Sequence, residues 1–286
     1  ITDLPVPEEY KNFTKEGPTS DTQKEKFWKK LNKSVLKHNL QDKTFVYYVD
    51  EPKTDTLKRL GEDLRRIRAW APDLKFLVTT PYRPSLEGAV NVWCINLILW
   101  NRPTEKSPDF YLKRQKEKNE DLWFYVGCNS HGCDGPEDIE NPDLIIDRAS
   151  AYQRVFPWVA LKYEARGILY YDTVYGYTKG HADSPWKDDF HFTGYGEGNL
   201  FYPCTEKLGK CKTPRVFPSL RLKILRDGLE DVQIIKMALK KNPKIESSKL
   251  ISTAIKSERD FSHKTQDFEA IKRQSLYEFK DKKDIK

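Results

Sequence analysis

The length of the chain, 286 residues, suits one α/β barrel domain, because a chain of this size can bury a large core. No run of about eighteen apolar residues is present to span a membrane. The net charge is +7, but the sequence has neither the glycine-rich loop nor the zinc-finger spacing of a nucleic-acid-binding protein, so this class is not indicated. Aromatic residues form 13% of the chain, which is typical of proteins that stack on flat ligands such as sugars.

Helical and strand patterns alternate along residues 20–171. A helical pattern follows Ser20-Asp21, with Trp28, Leu31 and Val35 on one side. Short apolar runs then predict five strands, at residues 45–49, 74–79, 90–95, 122–126 and 167–171. Further helical patterns lie between them, at residues 54–70, 108–118 and 146–164. Alternation of this kind indicates a parallel sheet covered by helices.

The predicted fold class is α/β, and more closely a TIM-type (β/α)8 barrel that lacks its first strands in this chain. Five strands are too few to close an eight-stranded barrel, and residues 1–44 contain one helix and a proline-rich lead but no convincing strand. An open α/β layer with fewer strands is the alternative. We favour a barrel that is truncated at its amino-terminal side.

After the fifth strand the pattern gives way to a long loop over residues 172–218, rich in Gly, Pro, Trp and Tyr. Loops of this length at strand ends usually form functional sites. Three helices are predicted beyond the loop, at residues 219–240, 247–256 and 265–279. We therefore predict a barrel portion over residues 1–240 and a charged helical extension over residues 241–286.

The five cysteines are unevenly placed. Cys128 and Cys133 bracket Asn-Ser-His-Gly, Cys204 and Cys211 bracket a Lys-rich loop, and Cys94 stands in a strand-like run. We expect two short-range disulfides and one buried thiol, which implies a secreted or periplasmic protein. Unpaired thiols and a four-cysteine zinc site remain the alternatives.

Two adjacent carboxylates, Asp50 and Glu51, end the first predicted strand. Pro52 follows them and cannot donate to a strand ladder, so the strand must stop and leave both side chains at its carboxyl end. Barrel enzymes carry their catalytic residues at these strand ends. The simpler interpretation is that Asp50 or Glu51 opens the helix that follows, at the positive end of its dipole.

Five motifs occur in one order along residues 1–240, and together they resemble glycoside hydrolase family 123. They are Tyr48-Val49-Asp50-Glu51-Pro52, a helix with Arg154-Val155-Phe156-Pro157-Trp158, Gly167-Ile168-Leu169-Tyr170-Tyr171, Asn199-Leu200-Phe201-Tyr202-Pro203 and the run PSLRLKILRDGLED at 218–231. The resemblance implies a TIM-barrel exo-β-N-acetylgalactosaminidase, usually with a β-sandwich before the barrel. It implies two partners, a glycan substrate and an amino-terminal barrel or β-sandwich segment outside this chain.

The expected function is that of a retaining glycoside hydrolase that releases terminal β-linked N-acetylgalactosamine. Adjacent side chains on a strand point to opposite faces, so Asp50 and Glu51 cannot easily act as the usual acid and nucleophile about 5 Å apart. In substrate-assisted hydrolysis the 2-acetamido carbonyl attacks its own anomeric carbon and forms an oxazolinium intermediate. By resemblance, Glu51 is the general acid and later the base, and Asp50 orients the acetamido nitrogen. We expect no metal and no cofactor.

Aromatic and polar side chains at strand ends and in the long loop are candidates for sugar binding. They are Trp93, Asn96, Trp123, Tyr125, Tyr171, Asp172, Tyr175 and Trp186. Each aromatic residue could equally belong to the core, and Asn96 or Asp172 could cap the turn that follows. We assign no role to His131, His181 or His191, because a lone loop histidine is usually solvated.

Two other functions fit the same pattern. A non-catalytic carbohydrate-binding or scaffold protein would keep the barrel surface without turnover. A β-N-acetylhexosaminidase of other sugar specificity, or an endo-acting hydrolase, would use the same carboxylate pair. That pair recognises the acetamido group and not the orientation of the 4-hydroxyl, so the sequence does not separate these sugars.

Overall fold

The structure is a computed structural model that describes residues 20–100, 102–128, 140–178 and 189–278. The chain divides into two compact units, Ile1–Trp93 and Cys94–Lys286. The boundary that the sequence suggests after residue 240 stays a prediction.

Helices and strands alternate in the first unit. Helix α1 (Asp21–Lys37) begins at a capping box, in which the Ser20 hydroxyl accepts from the backbone N–H of Gln23 and the Gln23 side chain accepts from Ser20. Strand β1 (Phe45–Val49) follows, and a 3₁₀ turn (Thr54–Thr56) leads into α2 (Leu57–Trp70). Strand β2 (Lys75–Thr79) pairs in parallel with β1 and is buried at its last four positions. The predicted order of these elements is confirmed.

The strands belong to one parallel α/β sheet. β3 (Val92–Asn96) is buried throughout. β4 (Asp121–Val126) and β5 (Gly167–Tyr170) pair in parallel, with Trp123 opposite Gly167 and Tyr125 opposite Leu169. The five strands follow one another in chain order, β1-β2-β3-β4-β5. The α/β class is confirmed, and the eight-stranded barrel stays a prediction.

The second unit contains most of the described helices. α3 (Pro108–Lys118) precedes β4 and has the predicted bounds, and α4 (Ser150–Lys162) precedes β5. A short helix, α5 (Tyr175–Thr178), comes after β5. Three further helices lie towards the end of the chain, α6 (Leu220–Lys241), α7 (Ser247–Ile251) and α8 (Thr265–Tyr277).

Residues 172–218 do not form the unbroken loop that the sequence predicted. Besides α5, their described part contains two antiparallel hairpins. One pairs β6 (Phe190–His191) with β7 (Gly194–Tyr195), and the other pairs β8 (Phe201–Cys204) with β9 (Arg215–Pro218). The prediction was wrong because strands of two to four residues are too short for an alternating pattern to appear in the sequence.

Two predicted helices are shorter than expected. α4 begins at Ser150 and not at residue 146, and the backbone N–H of Ile146 bonds to the carbonyl of Tyr195 at 2.8 Å. α7 ends at Ile251 and not at residue 256, because the Lys256 N–H, which would bond to the Ser252 carbonyl in a longer helix, bonds to the carbonyl of Asp260 at 2.8 Å. At the end of α7 a bond outside the helix thus takes a backbone donor that a longer helix would have used.

Helices α4 and α6 carry two of the sequence motifs and pack closely together. A Cβ atom at Gly228 of α6 would lie 2.3 Å from the carbonyl oxygen of Arg154 in α4, so glycine permits this approach. The Arg154 guanidinium donates to Asp231 of α6 at 2.7 Å, and both side chains are buried. These contacts give the two motifs a structural role.

Helix α8 packs on the same pair. Phe268 is fully buried, and its ring centroid lies 5.0 Å from that of Trp158 in α4. Glu269 accepts a hydrogen bond from Arg154 at 2.5 Å, and the Lys272 ammonium lies 3.1 Å from Asp231. The residues after α6 therefore contribute to the core of the second unit.

The cysteines agree with the sequence where the structure describes them. The Cys204–Cys211 disulfide is confirmed, with Cα atoms 5.5 Å apart, and Cys94 is buried in β3. Cys128 is also disulfide-bonded, and Cys133 lies outside the described residues. Across the described ranges, no helix is both long enough and apolar enough to cross a bilayer.

Candidate active site

The carboxylate pair lies immediately after β1, as the sequence predicted. Asp50 Oδ1 accepts hydrogen bonds from the Tyr47 hydroxyl at 2.5 Å and from the Thr79 hydroxyl at 2.8 Å. Thr79 is the buried last residue of the neighbouring strand β2. Among the described residues, Asp50 Oδ2 has no hydrogen-bond partner. One oxygen of Asp50 is thus held by the protein, and the other is able to accept a donor from a ligand.

The backbone of Glu51 adopts a left-handed conformation, with φ of 40°. For a residue with a Cβ atom this conformation costs on the order of 1 kcal/mol. The Glu51 N–H donates to the Thr79 hydroxyl at 2.6 Å, so one hydroxyl holds both Glu51 and Asp50. Backbone strain of this kind is concentrated at functional sites. The conformation therefore supports a functional role for this turn.

Strand β1 ends with a bulge, and neither Asp50 nor Glu51 caps the helix that follows. Tyr47 pairs with Leu77 and Val49 with Val78, so β1 carries one extra residue between these pairs. Such a bulge changes the direction of side chains at a strand end. The cap positions of the following 3₁₀ turn and helix are Lys53 and Thr56, so neither carboxylate occupies one.

Three predicted sugar-binding residues lie together just after β5. The exposed ring of Tyr171 has its centroid 5.9 Å from that of Tyr175, the first residue of α5. Between them the Asp172 carboxylate accepts from the backbone N–H of Thr173, which is the turn-capping role that the sequence left open. Tyr171 and Tyr175 form an aromatic pair at the strand end.

Two candidates on β3 are buried. Trp93 is 1% exposed, and its ring centroid lies 5.2 Å from that of Tyr82. The Asn96 side chain accepts from the backbone N–H of Ile98 at 3.2 Å and caps the 3₁₀ turn that follows β3. Both residues thus have the structural roles that the sequence gave as alternatives, and their part in sugar binding stays a prediction.

The candidates on β4 differ in exposure. Tyr125 is buried, whereas Trp123 is half-buried. A Cβ atom at Gly167, opposite Trp123 on β5, would lie 2.3 Å from the indole ring, so the indole covers this glycine. Trp186 lies outside the described residues, as do His131 and His181.

A buried carboxyl group that the sequence analysis missed links the ends of β4 and β5. Glu197 is completely buried. Its Oε1 accepts from the backbone N–H of Cys128, two residues after β4, at 2.8 Å, and its Oε2 accepts from the Tyr170 hydroxyl at the end of β5, at 3.1 Å. The Tyr170 hydroxyl accepts in turn from the Gly198 N–H at 2.8 Å. Glu197 therefore ties its loop to two neighbouring strand ends.

The buried carboxyl groups have raised pKa values. Burial raises the pKa of Glu197 to about 7; the hydrogen bonds from Cys128 and Tyr170 act against this increase, and the charge of Asp143 adds to it. Burial also raises the pKa of Asp143 to about 6, although the Arg148 guanidinium at 2.8 Å lowers it. Glu197 therefore changes its charge close to neutral pH.

One arginine organises the loop around Glu197. Arg221, in the first turn of α6, donates to the backbone carbonyls of Leu144, Gly196 and Asn199 at 2.5 to 2.6 Å. A guanidinium group presents five donors in a rigid fork, which lets one side chain hold several carbonyls. A Cβ atom at Gly196 would lie 2.5 Å from this guanidinium, so the loop needs glycine there.

The sequence contains a partial signal for this cluster. Glu197 stands between Gly196 and Gly198, which both have positive φ, of 76° and 71°. Arg221 lies inside the 218–231 motif. A glutamate in a glycine-rich loop is nevertheless expected to be solvated, and its burial depends on contacts with distant strands.

A parallel α/β sheet and a pair of carboxylates at a strand end define the class of protein. Many α/β enzymes have this combination, and hydrolases that cleave glycosidic bonds with carboxyl groups are among them. Within the described ranges, no group of three or more His, Cys, Asp or Glu side chains is arranged to hold a metal ion. The model of the glycoside hydrolase 123 catalytic domain matches residues 7–238, and the chain belongs to this family.

A solved structure agrees with this assignment. It is a family 123 glycoside hydrolase from Clostridium perfringens, whose structural analysis concerns glycolipid glycan hydrolysis. Its fold is similar to that of this chain, with a TM-score of 0.61 and 18% sequence identity. The match covers 91% of this chain and 46% of the other, so this chain spans about half the length of that protein. No curated protein matches the sequence.

Proposed function

We propose that the chain is the catalytic portion of a retaining glycoside hydrolase that releases terminal β-linked N-acetylgalactosamine. The observation that carries the proposal is the different setting of the two adjacent carboxylates. Tyr47 and Thr79 hold one oxygen of Asp50, whereas Glu51 follows on a left-handed turn. This difference suits two separate roles, orientation of the substrate by Asp50 and proton transfer by Glu51. Membership of the family supports hydrolysis by carboxyl groups.

In the proposed first step, the acetamido oxygen of the substrate attacks C1 and the bond from C1 to the leaving oxygen breaks. The Glu51 carboxyl group protonates that oxygen. Asp50 Oδ2 accepts the acetamido N–H, which orients the amide and stabilises the positive charge of the oxazolinium ring. In the second step Glu51 takes a proton from water, the water oxygen attacks C1 and the ring opens. Two inversions at C1 retain the β configuration.

We also propose the setting in which this reaction occurs. The substrate is a glycan or glycoconjugate, and Tyr171 and Tyr175 supply aromatic surface for stacking on a sugar. An amino-terminal barrel or β-sandwich segment is the proposed protein partner, which is consistent with the 46% coverage of the solved relative. The Cys204–Cys211 disulfide favours a secreted or periplasmic location, because disulfides persist in oxidising compartments.

The test compares two leaving groups, 4-nitrophenol and a sugar, on β-N-acetylgalactosamine. Asp50→Asn should lower kcat at least about a hundredfold on both substrates, because both need an oriented acetamido group. Glu51→Gln should lower kcat/KM at least about a hundredfold on the sugar-linked substrate and far less on the nitrophenyl substrate, because kcat/KM reports the first step, in which nitrophenolate leaves without a proton. Asp55→Asn changes an exposed carboxylate nearby and is the matched control.

Each result assigns a function. An equal loss of kcat/KM on both substrates in the Glu51 variant would contradict its role as the acid. Turnover of β-N-acetylglucosaminide alone would identify a hexosaminidase of other specificity. Sugar binding without turnover, by a chain shown to be folded, would identify a carbohydrate-binding protein.

A further inference from the structure

The hairpin of β8 and β9 is exposed but firmly held. All four residues of β9 are exposed, so both faces of this strand reach solvent. At its base, beside the Phe201–Pro218 pair, the Ser219 N–H bonds to the Leu200 carbonyl at 2.8 Å, and at the loop end of β8 Cys204 is buried. At its tip the disulfide closes the loop, and the Cys211 N–H bonds to the Thr205 carbonyl at 2.9 Å. A two-stranded hairpin is marginal by itself, so the disulfide supplies order that burial does not.

The loop of this hairpin is strongly cationic. It carries Lys207, Lys210 and Lys212, and Arg215 follows at the start of β9, against the single carboxylate of Glu206. All four cations are exposed. In the part of the chain that the structure describes, none of the four is in an ion pair. Among the described residues, no ion pair therefore neutralises the positive charge that the hairpin presents.

Apolar side chains lie beside this charge. Val216 is 63% exposed and Phe217 is 38% exposed, and Leu220 at the start of α6 is 72% exposed. Single exposed apolar residues are common, but three within five residues, next to four cations, form a mixed surface. We call residues 207–220 the hairpin surface.

We propose that the hairpin surface docks on an anionic phospholipid bilayer. Its cations are attracted to the negative potential of such a bilayer, and its apolar side chains enter the boundary between head groups and acyl chains. An acidic polysaccharide would pair with the cations but would leave Val216 and Leu220 in water. Docking would bring the chain to glycoconjugates anchored in the membrane; this consequence rests on the proposed function, whereas docking itself does not.

The test is co-sedimentation of the whole chain with phosphatidylcholine vesicles that contain either no anionic lipid or about one third phosphatidylglycerol. We expect binding to the anionic vesicles alone, weakened at least about tenfold when the salt concentration rises from about 0.1 M to about 0.5 M. Replacing Lys207, Lys210, Lys212 and Arg215 by Glu should lower the partition coefficient at least about a hundredfold.

A matched variant controls for the overall charge. It carries Glu at Lys58, Lys116, Lys118 and Lys236, which are also exposed and, within the described ranges, outside ion pairs. Both variants change the net charge by the same amount, and circular dichroism establishes that each is folded. The matched variant should retain vesicle binding. Equal loss in both variants would overturn the proposal, because attraction would then depend on total charge and not on the hairpin surface.

The apolar residues distinguish lipid from polysaccharide. Val216→Ser combined with Leu220→Ser should lower vesicle binding about tenfold without changing retention on a heparin column. Retention on heparin with no vesicle binding by the unmodified chain would overturn the proposal in favour of an acidic polysaccharide. Turnover of the soluble nitrophenyl substrate is measured in parallel, so failure of docking and failure of the proposed hydrolase activity are separate results.

Discussion

Glu197 couples the folding of the second unit to pH. The folded chain holds this carboxyl group with a pKa of about 7, against an ordinary value of 4.5. Between these values the folded state binds a proton that the unfolded state has released, so the free energy of unfolding falls as the pH rises. The contribution of this proton to the free energy of unfolding is at most roughly 3 kcal/mol. It is fully present below a pH of about 4.5 and is lost as the pH rises to about 7 and beyond.

Glu197→Gln should remove this pH dependence. The amide keeps an acceptor for the Cys128 N–H, offers a donor to the Tyr170 hydroxyl and carries no charge. Relative to the unmodified chain, the variant should gain roughly 2 kcal/mol between about pH 5 and about pH 8, measured by urea unfolding. Glu206→Gln changes an exposed carboxylate and should show no such gain. A constant difference across pH for Glu197→Gln would contradict the raised pKa.

The two acidic sites differed in how well the sequence could predict them. Asp50 and Glu51 were found because Pro52, next to them, marks the strand end by a local rule. Their partner Thr79 is 29 residues from Asp50, and Cys128 is 69 residues from Glu197. Such contacts depend on strand register, which the pattern of one sequence does not specify.

Helices α4 and α6 depend on a glycine where they meet. Gly228→Ala should destabilise the chain by roughly 2 to 4 kcal/mol, although alanine is the better helix former, because the new methyl group would meet the Arg154 carbonyl oxygen. Urea unfolding measures the change. Gln233→Ala, at an exposed position of α6, should stay within about 0.5 kcal/mol. Unchanged stability in the Gly228 variant would show that the two helices can separate at little cost.

Elements with local end signals were predicted well, and those fixed by distant contacts were not. α3 has its predicted bounds because Pro108 suits the first turn and Asn119 takes a left-handed conformation just after the last residue. The hairpins of β6 to β9 carry no comparable signal. α4 begins after Ala149 without a side-chain cap, so its start carries no local signal either.

We expect the residues beyond the family match to be needed for a stable chain. The match ends at residue 238, whereas Phe268 of α8 is buried against Trp158. Deletion of residues 243–286 should lower the free energy of unfolding by at least about 3 kcal/mol, because it exposes apolar surface and removes Glu269 from Arg154. Phe268→Ala should cost about 3 kcal/mol, and the exposed Leu276→Ala much less. Full stability after the deletion would show that α8 is dispensable.

The α/β class and the family followed from the order of the elements and the motifs, and both are confirmed, whereas the eight-stranded barrel stays a prediction. The division into units at residues 93 and 94 did not follow, because it falls inside β3, where an apolar run gives no boundary signal. The predicted extension after residue 240 rested on charge. Phe268 and Ile271 have the three-residue spacing of one helix face, but the residue that Phe268 packs on, Trp158, is far away in the sequence.

The left-handed backbone at Glu51 sets stability against function for anyone who redesigns this protein. A procedure that optimises sequence for this backbone would choose glycine or asparagine at position 51, because both accept positive φ at low cost. The resulting chain would have less backbone strain at position 51, but it would lose the carboxyl group that we propose as its acid. Position 51 must therefore be held constant in any redesign, and added thermal resistance has to come from substitutions elsewhere.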